Sequence, residues 1–93
     1  MKANIYTKEL WVSEVNPDKL KEFYKQSIIN AGFTIVDFVE HYFLPQGYTA
    51  IFLLAESHFA IHTFPEENIT FVQLSSCNKQ MFEKWIKIAS HIC

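Results

Sequence analysis

The sequence is poor in the features that mark several large protein classes. Its two cysteines, Cys77 and Cys93, are too few for a disulfide framework. It has no run of Lys and Arg, and a net charge of −2 argues against nucleic acid, whose binding needs clustered positive charge. No apolar stretch reaches the length of a transmembrane helix, and the first residues lack the apolar region of a signal peptide. We therefore expect a cytoplasmic protein that binds neither nucleic acid nor membrane.

Apolar and aromatic side chains are what the sequence has in quantity. Hydrophobic residues make up 49% of the chain and aromatic residues 16%. The 93 residues predict one domain, residues 1–93, with a core of moderate size. A small domain with this much apolar surface often buries part of it against a second copy, so we expect a homodimer.

The order of secondary structure follows from periodicity and from helix caps. Asn16 and Pro17 favour a helix start, because asparagine caps unpaired amides and proline suits the first helical position. Gly32 favours the end of that helix, and Asn78 favours the start of a second one. Strands are predicted where apolar, β-branched and aromatic residues cluster, at residues 10–15, 33–43, 48–55, 58–64 and 69–75. Runs of neighbouring strands predict an α+β two-layer sandwich, an antiparallel sheet with two helices on one face.

The segment from Glu56 to Glu66 concentrates reactive side chains. It places Ser57 and two histidines between two glutamates, within eleven residues. Because side chains alternate along a strand, His58 and His62 share one face and Ser57 takes the other. For Ser57 and His62 to act together, the chain must bend or bulge near Glu56, and we expect a strained peptide there.

Separate parts of the sequence resemble one protein family. Residues 56–66 are similar to the pattern E-S-H-x-x-I-H-T-x-P-E, the self-cleavage motif of the bacterial and archaeal S-adenosylmethionine decarboxylases. Residues 43–49 are similar to the family segment F-x-P-x-G-x-[ST], which precedes that motif. Cys77 follows Ser57 by 20 positions and His62 by 15, as the catalytic cysteine does in the family. The resemblance covers most of the chain.

The resemblance implies a self-processing enzyme with a covalent pyruvoyl cofactor. Ser57 would attack the carbonyl of Glu56, and the chain would be cleaved between these two residues. His62 would then remove the α-proton of residue 57, with Thr49 assisting where the family usually has serine. The new amino terminus would be a pyruvoyl group, which takes the role of pyridoxal phosphate in decarboxylation. Cys77 would return a proton to the former α-carbon of the substrate.

The resemblance also implies a site for S-adenosylmethionine as the small-molecule substrate. Phe43 and Phe64 match the aromatic positions that sandwich adenine, and Glu66 matches the glutamate that binds the ribose hydroxyls. The family usually has tryptophan in place of Phe64 and commonly has aspartate in place of Gln73. Some relatives decarboxylate ornithine or arginine, so a basic amino acid stays open as the substrate.

Two other interpretations of these residues remain. A homologue that does not process itself would serve as a binding or regulatory subunit. His58, His62, Glu66 and Cys77 are also zinc-type ligands, but no pair of them has a familiar metal spacing, so we expect no metal. Taken one at a time, these residues are more often structural than functional, and only their joint spacing favours the enzyme.

Overall fold

The architecture is one antiparallel sheet with two helices packed on one of its faces. The computed structural model describes residues 4–90. The elements in chain order are β1 (Tyr6–Val12), α1 (Pro17–Asn30), β2 (Ile35–Tyr42), β3 (Tyr48–Leu54), β4 (Ser57–Phe64), a 3₁₀ turn (Pro65–Glu67), β5 (Ile69–Ser76) and α2 (Lys79–Ser90). The five strands pair in the order β1-β5-β4-β3-β2, and every neighbouring pair is antiparallel. The predicted α+β two-layer sandwich is therefore confirmed.

Both helices begin where their caps predict. The Asn16 side chain accepts the N–H of Lys19 at 3.0 Å, and Pro17 is the first residue of α1. The Asn78 side chain accepts the N–H of Met81 at 2.9 Å at the start of α2. These bonds satisfy amides that have no partner within a helix. Within residues 4–90, neither helix is long and apolar enough to cross a membrane.

The core lies between the helices and the inner face of the sheet. Tyr24 of α1 and Trp85 of α2 both pack on Phe59 of β4, with ring centroids 5.0 and 5.5 Å away. The Trp85 indole N–H donates to the buried hydroxyl of Ser27 at 3.0 Å and so ties α2 to α1. Alternate strand residues complete the core, including Phe52, Leu54, Ile61, Val72 and Leu74. Burying each large side chain stabilises the fold by about 1.5–3 kcal/mol.

The outer face of the sheet carries apolar side chains that no described helix covers. Trp11, Val39, Ile51, Leu53 and Phe64 remain 58, 63, 39, 49 and 37% exposed. Trp11 packs against two aromatic neighbours on the same face, with ring centroids 5.1 Å from Phe71 and 6.0 Å from Phe64. An exposed apolar face of this kind is typical of a surface that binds another molecule.

The limits of the first strand differ from the sequence prediction. The sequence pattern predicts the first strand at residues 10–15. In the structure the strand starts and ends earlier, at Tyr6–Val12, and all of its residues pair with β5. After that strand the Glu14 carboxylate accepts the N–H groups of Val15 and Asn16 at 3.1 and 3.0 Å, so the chain turns into α1. The first half of β1 is polar except for Tyr6, whose ring centroid lies 5.7 Å from that of Phe82, and the strand pairs with β5 along its whole length.

Candidate active site

The β3–β4 hairpin holds the peptide that the motif predicts to be cleaved. Leu54 pairs with Ser57, so Ala55 and Glu56 form a two-residue loop. Glu56 has φ +62°, in the left-handed region that residues with a side chain rarely adopt. Such a conformation costs about 1–3 kcal/mol and persists only where the surroundings impose it. The expected strain is thus present on the residue whose carbonyl Ser57 would attack.

Cys77 contacts the carbonyl oxygen of this strained residue. Its thiol donates to the Glu56 backbone oxygen at 3.4 Å and lies 3.8 Å from the Glu56 carboxylate. Helix α2 begins two residues later, at Lys79, with the positive end of its dipole towards this region. A thiol donor and a helix amino terminus both favour negative charge, so they would stabilise an oxyanion forming at Glu56.

The hydroxyl of Ser57 is held on the inner side of the sheet. It donates to the hydroxyl of Ser76 at 2.8 Å, across the pair that these residues form between β4 and β5. Ser76 is 1% exposed and also accepts the N–H of Asn78 at 3.0 Å. The nucleophile predicted from the sequence is therefore tethered next to the strained peptide.

His62 and Thr49 form a second group on the outer face. They are paired residues of β4 and β3, and Thr49 Oγ1 lies 3.3 Å from His62 Nδ1. With the imidazole proton on Nε2, Nδ1 accepts from the threonine hydroxyl, and this contact fixes the ring orientation. The sequence resemblance assigned these residues to one task, and the structure brings them together.

The residues matched to substrate binding lie at one end of the sheet. Phe43 is in the β2–β3 turn, and Phe64 ends β4 just before Glu66. The two turns are joined by Gln46, whose amide donates to the Glu66 carboxylate at 3.4 Å. Phe43 is 49% exposed and Phe64 is 37% exposed, so both rings have open faces. Gly47 has φ +119°, in the range that residues with a side chain rarely adopt, so the backbone of this turn favours glycine beside Phe43.

Within one protomer these groups are far apart. Ser57 and Phe64 are the two ends of β4, which at roughly 3.3 Å per residue are about 23 Å apart. His62 is five residues from Ser57, about 17 Å along the strand, and on the opposite face. The pairing of β4 with both neighbours runs from Ser57 without a register shift. The bend or bulge expected near Glu56 is instead a tight turn, and it leaves Ser57 and His62 separated.

Two residues near these groups carried no sequence signal. Ser76 contacts Ser57 only because β5 pairs with β4 in one register, which the sequence does not disclose. His41 pairs with Thr49 on the outer face and packs on Phe43 with ring centroids 4.5 Å apart. Both positions depend on strand pairing rather than on spacing along the chain.

The zinc-type ligands do not gather into a metal site. His58 is on the outer face of β4, Cys77 follows β5, and Glu66 lies at the far end of the sheet. Among residues 4–90, no three His, Cys, Asp or Glu side chains are placed to hold a metal ion.

The fold and the hairpin together define the class: a small α+β sandwich in which Ser57, the nucleophile predicted from the sequence, directly follows the strained residue Glu56. Residues 12–91 match the family described as S-adenosylmethionine decarboxylase. The S-adenosylmethionine decarboxylase proenzyme of Prochlorococcus marinus (strain MIT 9313) is 46% identical over 50 residues, which are 54% of this chain and 40% of the relative. That of Shouchella clausii (strain KSM-K16) is 33% identical over 73 residues, 74% of this chain and 57% of the relative.

A solved structure gives the same answer for the fold. The adenosylmethionine decarboxylase from Aquifex aeolicus superimposes with a TM-score of 0.67 at 26% identity, over 89% of this chain and 72% of the other. The chain belongs to the S-adenosylmethionine decarboxylase family. It spans 40% and 57% of the lengths of the two curated relatives above.

Proposed function

We propose that this chain forms a pyruvoyl-dependent decarboxylase that cleaves itself between Glu56 and Ser57. One observation carries the proposal: the Glu56 peptide combines a left-handed φ of +62° with a thiol on its carbonyl oxygen and a tethered serine hydroxyl beside it. Strain raises the energy of the intact peptide, and the thiol stabilises the charge that develops when it is attacked. A merely structural turn has no need of this combination.

The first step is a transfer of the acyl group from nitrogen to oxygen. Ser57 Oγ forms a bond to the Glu56 carbonyl carbon, the carbon–nitrogen bond breaks, and the hydroxyl proton passes to the released nitrogen. The second step is an elimination in which a base takes the α-proton of residue 57 and Glu56 leaves as a carboxylate. Addition of one water and loss of one ammonia then leave a pyruvoyl group on the downstream fragment. No oxidant or reductant is required.

The base for the elimination is His62, supplied by a second protomer. The distance of about 17 Å along β4 prevents His62 from reaching residue 57 of its own chain. The exposed apolar outer face, which includes Trp11, Ile51 and Leu53, supports a homodimer formed through this face. A two-fold axis on that face would carry the Thr49–His62 pair of one protomer towards the hairpin of the other.

The same dimer would assemble the substrate site. Phe43, Phe64 and Glu66 lie at the end of the sheet opposite the hairpin, so they would contact a substrate held at residue 57 of the partner copy. Two aromatic rings and a carboxylate suit a purine and a ribose diol, which favours S-adenosylmethionine over ornithine or arginine.

Ser57 fits a role as precursor of the pyruvoyl group, because its hydroxyl is tethered beside the strained peptide. A pyruvoyl group at this position would supply the electron-withdrawing carbonyl that decarboxylation needs. Cys77, next to the hairpin, would deliver a proton to the substrate carbon as a neutral thiol.

A direct assay separates the candidate substrates. Processed protein is given S-adenosylmethionine, ornithine or arginine, each labelled at the carboxyl group, and released carbon dioxide is measured. We expect release from S-adenosylmethionine alone. Release from ornithine or arginine alone would assign the protein to the basic amino acids, and a chain that neither cleaves nor releases carbon dioxide would be a binding or regulatory subunit.

A further inference from the structure

Among the hydrogen bonds described for the Ser57 side chain, the partner is Ser76. Ser76 is the last residue of β5, is 1% exposed, and accepts the Ser57 hydroxyl at 2.8 Å. Its oxygen also accepts the Asn78 N–H at 3.0 Å. A hydroxyl oxygen has two lone pairs, and both are occupied by these donors. Its position is therefore fixed from the sheet on one side and from the start of α2 on the other.

We propose that Ser76 is a positioning residue for self-cleavage, an inference that rests on the proposed function. The Ser57 side chain alone would rotate among three staggered positions. The bond to Ser76 selects one of them and directs the hydroxyl proton to Ser76. The lone pairs of Ser57 Oγ then point elsewhere and are free to face the Glu56 carbonyl carbon. Holding a reacting atom in place in this way lowers the entropic part of the barrier.

Two consecutive residues, Ser76 and Cys77, contact the two groups that would react. Ser76 accepts a hydrogen bond from the attacking hydroxyl of Ser57. The Cys77 thiol donates to the carbonyl oxygen of Glu56 at 3.4 Å. Both reacting groups are thus aligned from the same short segment between β5 and α2. Ser76 gains and loses no proton overall, because the Ser57 proton ends on the nitrogen released from Glu56.

The test compares the self-cleavage rates of four purified proteins. Ser76→Ala removes the acceptor, whereas Ser76→Thr keeps the hydroxyl on a residue that strands favour. Ser27→Ala is the matched control, because Ser27 is 2% exposed and its hydroxyl also makes two hydrogen bonds, to Tyr24 O and from Trp85, within the helix layer. Thermal unfolding of each protein reports the loss of stability separately from the loss of cleavage.

We expect Ser76→Ala to cleave about tenfold or more slowly than the parent. Ser76→Thr should cleave at close to the parent rate, and Ser27→Ala should lose stability yet cleave normally. Hydroxylamine, which opens esters, should not speed Ser76→Ala, since its slow step precedes the ester.

Each other outcome has a definite meaning. A Ser76→Ala protein that cleaves at the parent rate overturns the role of Ser76 and leaves the proposed function standing. Equal slowing in Ser76→Ala and Ser27→Ala would make the effect one of stability and would also overturn it. A parent protein that stays whole overturns both this inference and the proposed function.

Discussion

Ser57 and His62 belong to the same strand, yet their side chains lie on opposite faces of the sheet. Ser57 contacts Ser76 on the helix side, and His62 contacts Thr49 on the open side. The family motif brings the two residues close in sequence, but β4 keeps them about 17 Å apart. If both act on residue 57, they must come from different protomers.

Complementation between two inactive variants tests this arrangement. Ser57→Ala retains His62 but lacks the nucleophile, and His62→Ala retains the nucleophile but lacks the base. When the two chains are expressed together, we expect the His62→Ala chains to be cleaved, because each can pair with a protomer that carries His62. Mass spectrometry distinguishes the chains by their different masses.

The separate proteins provide the controls. Each variant expressed alone should stay uncleaved at residue 57, and hydroxylamine should cut only His62→Ala, where an ester has accumulated. If the mixed sample stays as intact as the separate ones, His62 does not act across protomers.

Cys77 is expected to serve both self-cleavage and turnover. Its thiol lies 3.4 Å from the Glu56 carbonyl oxygen, so Cys77→Ala should slow cleavage as well as abolish proton return. Loss of an oxyanion donor commonly costs about 10²–10³ in rate, and a weak thiol donor should cost less, about tenfold. Cys77→Ser keeps a donor and should cleave faster than Cys77→Ala. A Cys77→Ala enzyme that decarboxylates as fast as the parent would contradict its assignment as proton donor.

The substrate residues should affect turnover but not self-cleavage. Removing a stacked aromatic ring costs about 1–3 kcal/mol, which corresponds to roughly five- to 150-fold in kcat/KM. We therefore expect Phe64→Ala to weaken use of S-adenosylmethionine by a factor in that range, chiefly through KM. Glu66→Gln should also raise KM, because it removes a charged acceptor for the ribose hydroxyls. Unchanged kinetics in both variants would show that the adenosyl group binds elsewhere.

The linked side chains of Tyr48, Glu40 and Lys21 predict a pH dependence of stability. The Tyr48 hydroxyl donates to Glu40 at 2.6 Å and Lys21 lies 3.1 Å from the same oxygen. The Tyr48 hydrogen bond, with help from Lys21, lowers the pKa of Glu40, while burial raises the pKa of Tyr48. A carboxyl with a lowered pKa stabilises the fold at neutral pH, and that contribution is lost as the pH falls through its folded-state pKa.

Glu40→Gln should therefore be less stable than the parent at neutral pH, by about 1 kcal/mol for a partly exposed group. The difference should shrink as the pH is lowered to about 3, below the ordinary pKa of a glutamate. Glu83→Gln, at an exposed position of α2, is the control and should show no such trend. If the difference in unfolding free energy between Glu40→Gln and the parent stays constant over this pH range, the ionisation of Glu40 does not contribute to stability.

The sequence predicted the features that depend on residues close to one another along the chain. The caps at Asn16 and Asn78, and the alternation that separates Ser57 from His62, follow from local rules and are present in the fold. The Ser57–Ser76 contact could not be predicted, because it depends on the register between β4 and β5. The left-handed Glu56 was expected only as strain of unspecified form, since no glycine or asparagine marks that position.

The division of the candidate site between the two ends of the sheet also escaped prediction. Phe64 and Ser57 are seven positions apart in one motif, which in a helix would place them on one face about two turns, or roughly 10 Å, apart. In an extended strand the same spacing spans about 23 Å, so the motif cannot be one continuous site within a protomer. The proposal of a second copy therefore rests on strand geometry together with the motif, and on neither alone.

The measurement that tests the proposed function most directly is the intact mass of the purified protein before and after incubation. The account predicts two fragments, produced by cleavage of the peptide bond between Glu56 and Ser57. The downstream fragment should be lighter by one ammonia than a fragment that begins with serine, and it should resist Edman sequencing. Ser57→Ala should remain one chain under the same conditions. A parent protein that also remains one chain of unchanged mass would contradict the account.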